Sequence, residues 1–434
     1  MDLLREELAE YFGKLRWEDA DAPYQARIDA IWREMDAHAA AHPESSAVAL
    51  KAQLHALIAE RFEPVLLRHS PFYFEMGLRA DCNWGVGRGR NVGTWLREWR
   101  QAALVDARAR EGLQRFAELG IASATVFDED HRSLGYTRVL REGVHSLLDR
   151  IAERRAMPTT MSEQDFLDAV ALSCRALLRI AARFAAKARE MLADETDEQA
   201  RHFLQMIAQT ADRVPAGPPR TFYEGLAALW FLREAAATLE GVGISVIGHP
   251  DRQLIDLYRA DIAAGRLTQD EARDLLARWM LPTDVRFRVR EDAWPETSTC
   301  MELGGCDERG APVYNELTRL ILDVHQQQGL LNPKPNCRYS AASEAEYLGL
   351  ISDQVLNGHN VYALQNDDVL IPALVRHGKS EPDARLYVNG GCQETICEGT
   401  EHSAGAYYYF NLPRVLDLCL LGTPLNIELV AVGA

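Results

Sequence analysis

Along the first 240 residues, apolar side chains recur at intervals of three and four, as at Leu147, Leu148 and Ile151 and at Phe166, Val170, Leu172 and Leu177. That spacing places them on one helix face, so residues 1–240 read as a stack of helices. Pro215, Pro218 and Pro219 interrupt the pattern. Thr221, followed three positions later by Glu224, then predicts a capped helix running through Trp230 and Leu232, and Thr268 with Glu271 repeats the device. Near residue 298 the rhythm changes. Strand-like runs at 298–303, 336–340, 361–365 and 387–388 alternate with helical runs at 317–324, 345–356 and 371–376. The alternation predicts βαβ units over residues 241–434, and an α/β fold for the whole chain.

Composition narrows the function. The chain has 434 residues, 47% of them apolar, enough for a large core. A net charge of −17 opposes a nucleic-acid partner, which would need a basic stripe. The start, Met1 to Leu8, mixes charges where a signal peptide would need an apolar run. The most apolar stretch, 226–232, is bounded by Arg233 and Glu234 and is far shorter than the roughly 20 residues that cross a bilayer. The expectation is a cytoplasmic protein without a membrane segment. Eight cysteines, at 82, 174, 300, 306, 337, 392, 397 and 419, show no Cys-x-x-Cys and no His pair at ligand spacing, which argues for a reducing compartment and against a metal site. The glycines from Gly85 to Gly93 fit no dinucleotide fingerprint in any frame, and no phosphate-binding loop, zinc-helix or serine-elbow motif occurs.

One loop carries chemistry. In Val388-Asn-Gly-Gly-Cys392-Gln-Glu394-Thr395 the glycines allow a sharp bend. Read as an extended segment, residues two apart project to one side roughly 6.6 Å from each other, so thiol and carboxylate would share a cavity. A cysteine acts as nucleophile, metal ligand or, after losing a hydrogen atom, thiyl radical. Glu394 disfavours the nucleophile, because a neighbouring carboxylate raises a thiol pKa and no basic partner is evident. The same carboxylate suits radical chemistry, where it takes the proton coupled to formation of a substrate radical. Taken alone, Cys392 also reads as a small buried hydrophobe.

Gly391-Cys392-Gln-Glu394-Thr395 resembles the G-C-V-E-P loop of the glycyl radical enzymes, the pyruvate formate-lyase superfamily. Pro219-Arg-Thr-Phe-Tyr-Glu224 is similar to that family's P-R-T-F-W-E helix, and Gly248 to Leu254 to its G-R-x-D-Q-Y-L turn. The segments at 303–307, 331–338, 365–374 and 411–418 continue the resemblance. It implies a helical amino-terminal region followed by about half of a glycyl-radical-enzyme-type β/α barrel, the two forming one continuous domain. It further implies a lyase that acts on a small-molecule substrate, with Cys392 and Glu394 catalytic and with His402, Tyr407, Asn366 and Asp367 binding substrate. A Cys-x-Glu loop is closer to the eliminating and decarboxylating branches than to the acyl-transferring one, which carries adjacent cysteines. The diol-dehydratase branch has a His-Asp pair thirteen and fourteen residues after the cysteine, whereas Gly405 and Ala406 stand there in this chain.

The family's R-V-x-G-Y glycine motif has no counterpart downstream of Cys392; Arg132-Ser-Leu-Gly135-Tyr136 is a near match in the wrong third of the chain and reads as a loop before a helix. No cofactor is therefore expected on this chain itself. The glycyl radical is expected from a second chain carrying the remaining half-barrel, formed with a radical-SAM activating enzyme, and the protein is expected to be oligomeric. Two alternatives remain open on the residues: a catalytically silent relative that serves as a binding or interaction protein, and a non-radical thiol enzyme. On the radical reading, the chain incubated alone with an activating enzyme gives no glycyl doublet in its electron paramagnetic resonance spectrum; a doublet would point to Gly135.

Overall fold

The three-and-four spacing folds as helices at Asp2–Gly13, Ala22–Ala41, Ala47–Arg61, Ala107–Glu118, Tyr136–Arg155, Met161–Leu192, Glu198–Thr210 and Phe222–Glu240. These come from a computed structural model that describes residues 1–13, 22–78, 107–124, 132–240, 244–288, 299–359, 361–391, 393–401 and 408–421, with Val92, Trp95, Leu96 and Trp99. Met161–Leu192 buries Ala176, Ile180, Ala181, Phe184, Ala185 and Ala188, and this alanine-rich stripe lets Ala47–Arg61 pack closely against it. Phe166, expected on that face, is instead 55% exposed, because it falls one turn before the packed stretch begins.

Phe222–Glu240 is the central helix and is buried on nearly every side, as expected for an apolar run without a polar face. The Trp279 indole donates to the Leu226 carbonyl at 3.0 Å, and the Tyr223 hydroxyl to the Pro71 carbonyl at 2.6 Å. Thr221 caps this helix, accepting from the Glu224 amide at 3.2 Å. The return half of the predicted box does not form: Arg213 pairs with the Glu224 carboxylate, which takes the Arg220 amide instead. At Thr268 and Glu271 both halves form. Gly135 precedes the helix Tyr136–Arg155, so the near match to the glycine motif is indeed a loop leading into a helix. Among the described residues no helix is long and apolar enough to cross a membrane.

The strands are β1 (Ala122–Ala124), β2 (Cys300–Gly304), β3 (Lys334–Tyr339), β4 (Ala363–Asn366), β5 (Tyr387–Asn389), β6 (Thr395–Cys397) and β7 (Tyr408–Phe410). β2, β3 and β4 form a parallel sheet in that order, crossed over by Glu316–Gln327 and Ala345–Leu356, which realises the predicted βαβ units. Val246 adds a parallel bridge to Cys300 at the other edge. β5 and β6 make an antiparallel hairpin, and β1 pairs antiparallel with β7.

Side chains alternate across a strand, so the sheet has two distinct faces. Met301, Leu303 and Cys337 join Leu317, Ile321, Tyr347 and Ile351 in the main core, which runs from Leu4 to Tyr362 and so unites the helical region with the sheet. The opposite face carries Cys300 and Glu302 from β2, Lys334, Asn336 and Arg338 from β3, and Gln365 from β4, by the register that sets Glu302 against Asn336 and Arg338 against Gln365. The hairpin covers this second face, where Val388 and Ile396 close a small cluster with Val246 and Cys300.

Gly304 ends β2 with φ of +70°, and a Cβ there would lie 2.8 Å from the Arg338 carbonyl and against the Tyr347 hydroxyl. Gly304→Ala is expected to cost about 2–4 kcal/mol, combining left-handed backbone with overpacking. Denaturant unfolding would measure the loss.

Candidate active site

Parallel strands buried on both faces are ordinarily apolar throughout, so the polar face of β2–β4 needs partners. The hairpin supplies them. One Glu302 oxygen accepts from the Asn389 amide at 2.9 Å and from Asn336 Nδ2 at 2.7 Å, and the other from Asn389 Nδ2 at 3.1 Å. Lys334 Nζ donates to the Gly391 carbonyl at 2.9 Å, and the Cys300 thiol to the Asn389 carbonyl at 3.1 Å. Gln365 donates to the Gln393 side chain. Both chain neighbours of position 392 are thus gripped from the sheet, Gly391 through its backbone and Gln393 through its side chain.

The connection between β5 and β6 is a tight turn rather than the extended segment expected. The Gln393 amide donates to the Gly390 carbonyl at 3.0 Å, and the Gly390 amide to the Glu394 carbonyl at 2.7 Å. The glycines were expected to take the bend, yet it is Gln393 that has a φ of +84°. A left-handed backbone costs a non-glycine residue about 1–2 kcal/mol, so the contacts to Gln393 hold a strained position.

Charge on the inner face is balanced locally. Arg338, fully buried, donates to both oxygens of Asp367 at 3.0 and 2.9 Å, to the Tyr387 carbonyl at 3.1 Å and to the Arg385 carbonyl at 2.8 Å. Its guanidinium also lies 3.9 Å from the centre of the Tyr387 ring. Burial works against its charge, but Tyr387 and Asp367 more than offset this and hold its pKa above the usual range. Burial pushes Glu302 up to about 7, against the donors from Asn336 and Asn389. Burial, reinforced by Glu302, pushes Cys300 up to about 12. Behind the sheet end, His249 lies 2.7 Å from Asp251, whose other oxygen accepts from the Gly304 amide at 2.9 Å and the Thr318 hydroxyl at 2.8 Å. Burial lowers His249 to about 4, so the pair is a neutral imidazole beside a carboxylate. Among the described residues no group of three His, Cys, Asp or Glu side chains is placed to hold a metal.

Cys392, His402 and Tyr407 lie outside the described residues, as do Gly405, Ala406 and the loop 85–91. Glu394 is half-buried at the end of the turn. Asn366 caps the helix Asp367–Arg376 through the Asp368 amide, on the side of β4 away from the hairpin. Asp367 is engaged by Arg338 and by the Tyr387 hydroxyl at 2.7 Å. The structure therefore places Asn366 in a cap and Asp367 in an ion pair that supports the hairpin. Phe410, three residues after Tyr407, is 62% exposed on the short β1–β7 ribbon.

A family model described as pyruvate formate lyase-like matches residues 95–426. The chain belongs to this family. Trans-4-hydroxy-L-proline dehydratase of Clostridioides difficile is 31% identical to the pyruvate formate lyase-like chain over 265 residues, which is 58% of this chain and 33% of that protein. Isethionate sulfite-lyase of Nitratidesulfovibrio vulgaris is 28% identical over 303 residues, 66% of this chain and 36% of the relative. The B12-independent glycerol dehydratase of Clostridium butyricum, in its glycerol-bound form, superposes with a TM-score of 0.78 at 18% identity, covering 98% of this chain and 58% of that one. The pyruvate formate lyase-like chain thus folds like a little over half of a glycyl radical enzyme and spans about a third of the length of the curated relatives it matches.

The residues that grip the turn were not singled out from sequence. The signal was present: Cys300-Met-Glu302-Leu and Lys334-Pro-Asn336-Cys-Arg338 alternate polar and apolar side chains within strands of a βαβ unit, where both faces should be apolar. Arg338→Met is expected to leave the Asp367 carboxylate buried and unpaired, with a loss of about 3–5 kcal/mol in denaturant unfolding. Adding Asp367→Asn should recover most of it.

Proposed function

We propose that this chain is the thiol-bearing portion of a glycyl-radical-type lyase that cleaves a C–C, C–O or C–N bond of a small molecule by elimination or decarboxylation. The observation that carries the reading is the grip on Gly391 and Gln393, the two neighbours of Cys392, by Lys334 and Gln365. A turn whose only task was to reverse the chain would not need buried side chains from two strands to hold it. Membership of a family whose relatives are named as dehydratases and sulfite-lyases supports the same chemistry.

In this reading the glycyl radical, held by the part of the enzyme that completes the barrel, supplies the oxidising hydrogen-atom acceptor. Cys392 gives its thiol hydrogen atom to the glycyl radical; the resulting thiyl takes one from a substrate carbon, returns it to the product radical and then recovers its own from the glycine, so that thiol and glycyl radical are both regenerated each cycle. Glu394 accepts the proton coupled to formation of the substrate radical and so eases loss of the leaving group. The open edge of β4 fits a need for a second half-barrel: among the described residues that strand pairs only with β3, and Leu356, Leu364 and Val369 are exposed near it. A second chain could supply that half together with the radical glycine, and a radical-SAM enzyme would activate it.

The test is reconstitution with a partner carrying the remaining half-barrel and with the activating enzyme. Cys392→Ala should abolish turnover, and Glu394→Gln should lower kcat by roughly 10² to 10⁴. Full activity of Cys392→Ala would overturn the thiyl role, and an unchanged rate in Glu394→Gln the proton-transfer role.

A further inference from the structure

Three donors converge on one buried carboxylate beside the turn. The Glu302 oxygens accept from the Asn389 backbone amide, from Asn389 Nδ2 and from Asn336 Nδ2, at 2.9, 3.1 and 2.7 Å. Glu302 and Asn389 are fully buried, 87 residues apart in the chain. With its lone pairs directed at these donors, the carboxylate serves the hairpin rather than a substrate. Asn389 is the last residue of β5, so its position sets where the turn starts. Lys334 reaches Gly391 and Gln365 reaches Gln393, so the entry to the turn at Asn389 is held by Glu302 on its amide and side chain, with the Cys300 thiol on its carbonyl.

We infer that Glu302 is a positioning residue whose carboxylate fixes the turn Gly390–Glu394 in one arrangement and whose protonation releases it. An ionised carboxylate is acceptor-only and suits all three N–H groups. Protonated, it presents an O–H toward at least one of them, and that contact becomes donor against donor unless the Asn389 amide turns over. Either way the charge-assisted hold on the entry to the turn is lost. Among the described residues, the titratable and charged groups around Glu302 are Cys300 on its own strand, Lys334, Cys337 and Arg338 on β3 and Tyr387 on β5, with Asp251 on the far side of Cys337. Burial raises Glu302 to about 7, whereas Cys300 at about 12 and the nearby His249 at about 4 change charge outside the range from pH 5.5 to 8.5. The Asn389 donors lower the Glu302 pKa in the held turn, so a turn released from them while the carboxyl stays buried binds the proton more tightly, and the turn should order as pH rises. Global stability should move the other way: a carboxyl with a raised folded-state pKa keeps its proton longer than in the unfolded chain, so its contribution falls between about pH 4.5 and 7. The opposite signs separate a local hold from a general effect.

That the turn presents a reacting thiol rests on the proposed function, but the hold itself is measurable without turnover. Hydrogen–deuterium exchange of the full 434-residue chain would be followed from pH 5.5 to 8.5, each rate divided by the intrinsic rate at that pH. Protection of the peptide spanning 388–395 should rise about tenfold across the range, as for one hydrogen bond to a charged group, while the helix Met161–Leu192 shows no such rise. Glu302→Gln should hold 388–395 at the low-pH level throughout. Asn336→Ala removes a donor that favours the charged form and should shift the midpoint upward, a readout that stands even where Glu302→Gln fails to fold. Protection at 388–395 independent of pH in the wild type, wild-type protection in Glu302→Gln at pH 8.5, or an equal loss in the helix would each overturn the inference.

Discussion

A buried polar surface must be satisfied, and here one hairpin, joined by Asp367 and the Arg385 carbonyl at Arg338, satisfies the inner face of the parallel sheet. Glu302, Lys334, Asn336, Arg338 and Gln365 project from three strands into the same enclosed space. None reaches the helices that cover the other face, and left unpartnered each would cost several kcal/mol. The hairpin answers this demand with backbone groups at Tyr387, Asn389 and Gly391 and with the side chain of Gln393. The dependence is mutual: the sheet is tolerable as an interior surface only with the hairpin in place, and the turn keeps a left-handed glutamine only because the sheet holds it.

The division of labour between the two faces follows. Met301, Leu303 and Cys337 supply the apolar burial that fastens the sheet to the helices, and the alternate positions are free to carry polar groups. Asp367 neutralises Arg338 from the first residue of a helix, so the guanidinium remains charged in a place where burial alone would oppose it. The same device at the sheet end, with Asp251 bonded to Gly304 and Thr318, ties β2 to the helix that follows it.

The architecture was largely legible from the sequence because periodicity reports burial directly. The runs at 298–303, 336–340 and 361–365 match β2, β3 and β4 to within a few residues, since alternation of helix and strand leaves few other readings. The capping pair at Thr268 and Glu271 was equally legible, being local in the chain. What failed had non-local causes. Arg213 diverts Glu224 from its cap, and the turn closes because strand residues 28 to 87 positions away pull on it, which no window around Gly390 reveals. Asn366 and Asp367 were picked out by position in a shared motif, and that motif does not disclose the contacts each makes here, with the Asp368 amide and with Arg338.

The ribbon formed by β1 and β7 has a consequence for synthesis. Ala122 pairs with Phe410, 288 positions later, and the Asn411 amide closes on the Ile121 carbonyl at 2.8 Å. At roughly 5–20 residues per second, a ribosome needs about 15–60 s between making the first strand and releasing the second. Throughout that interval the helices on either side of residues 122–124 can be complete while the strand itself is an open template. The nascent chain therefore carries an exposed edge while those 288 positions are made, and a factor that shields such edges would find its substrate there.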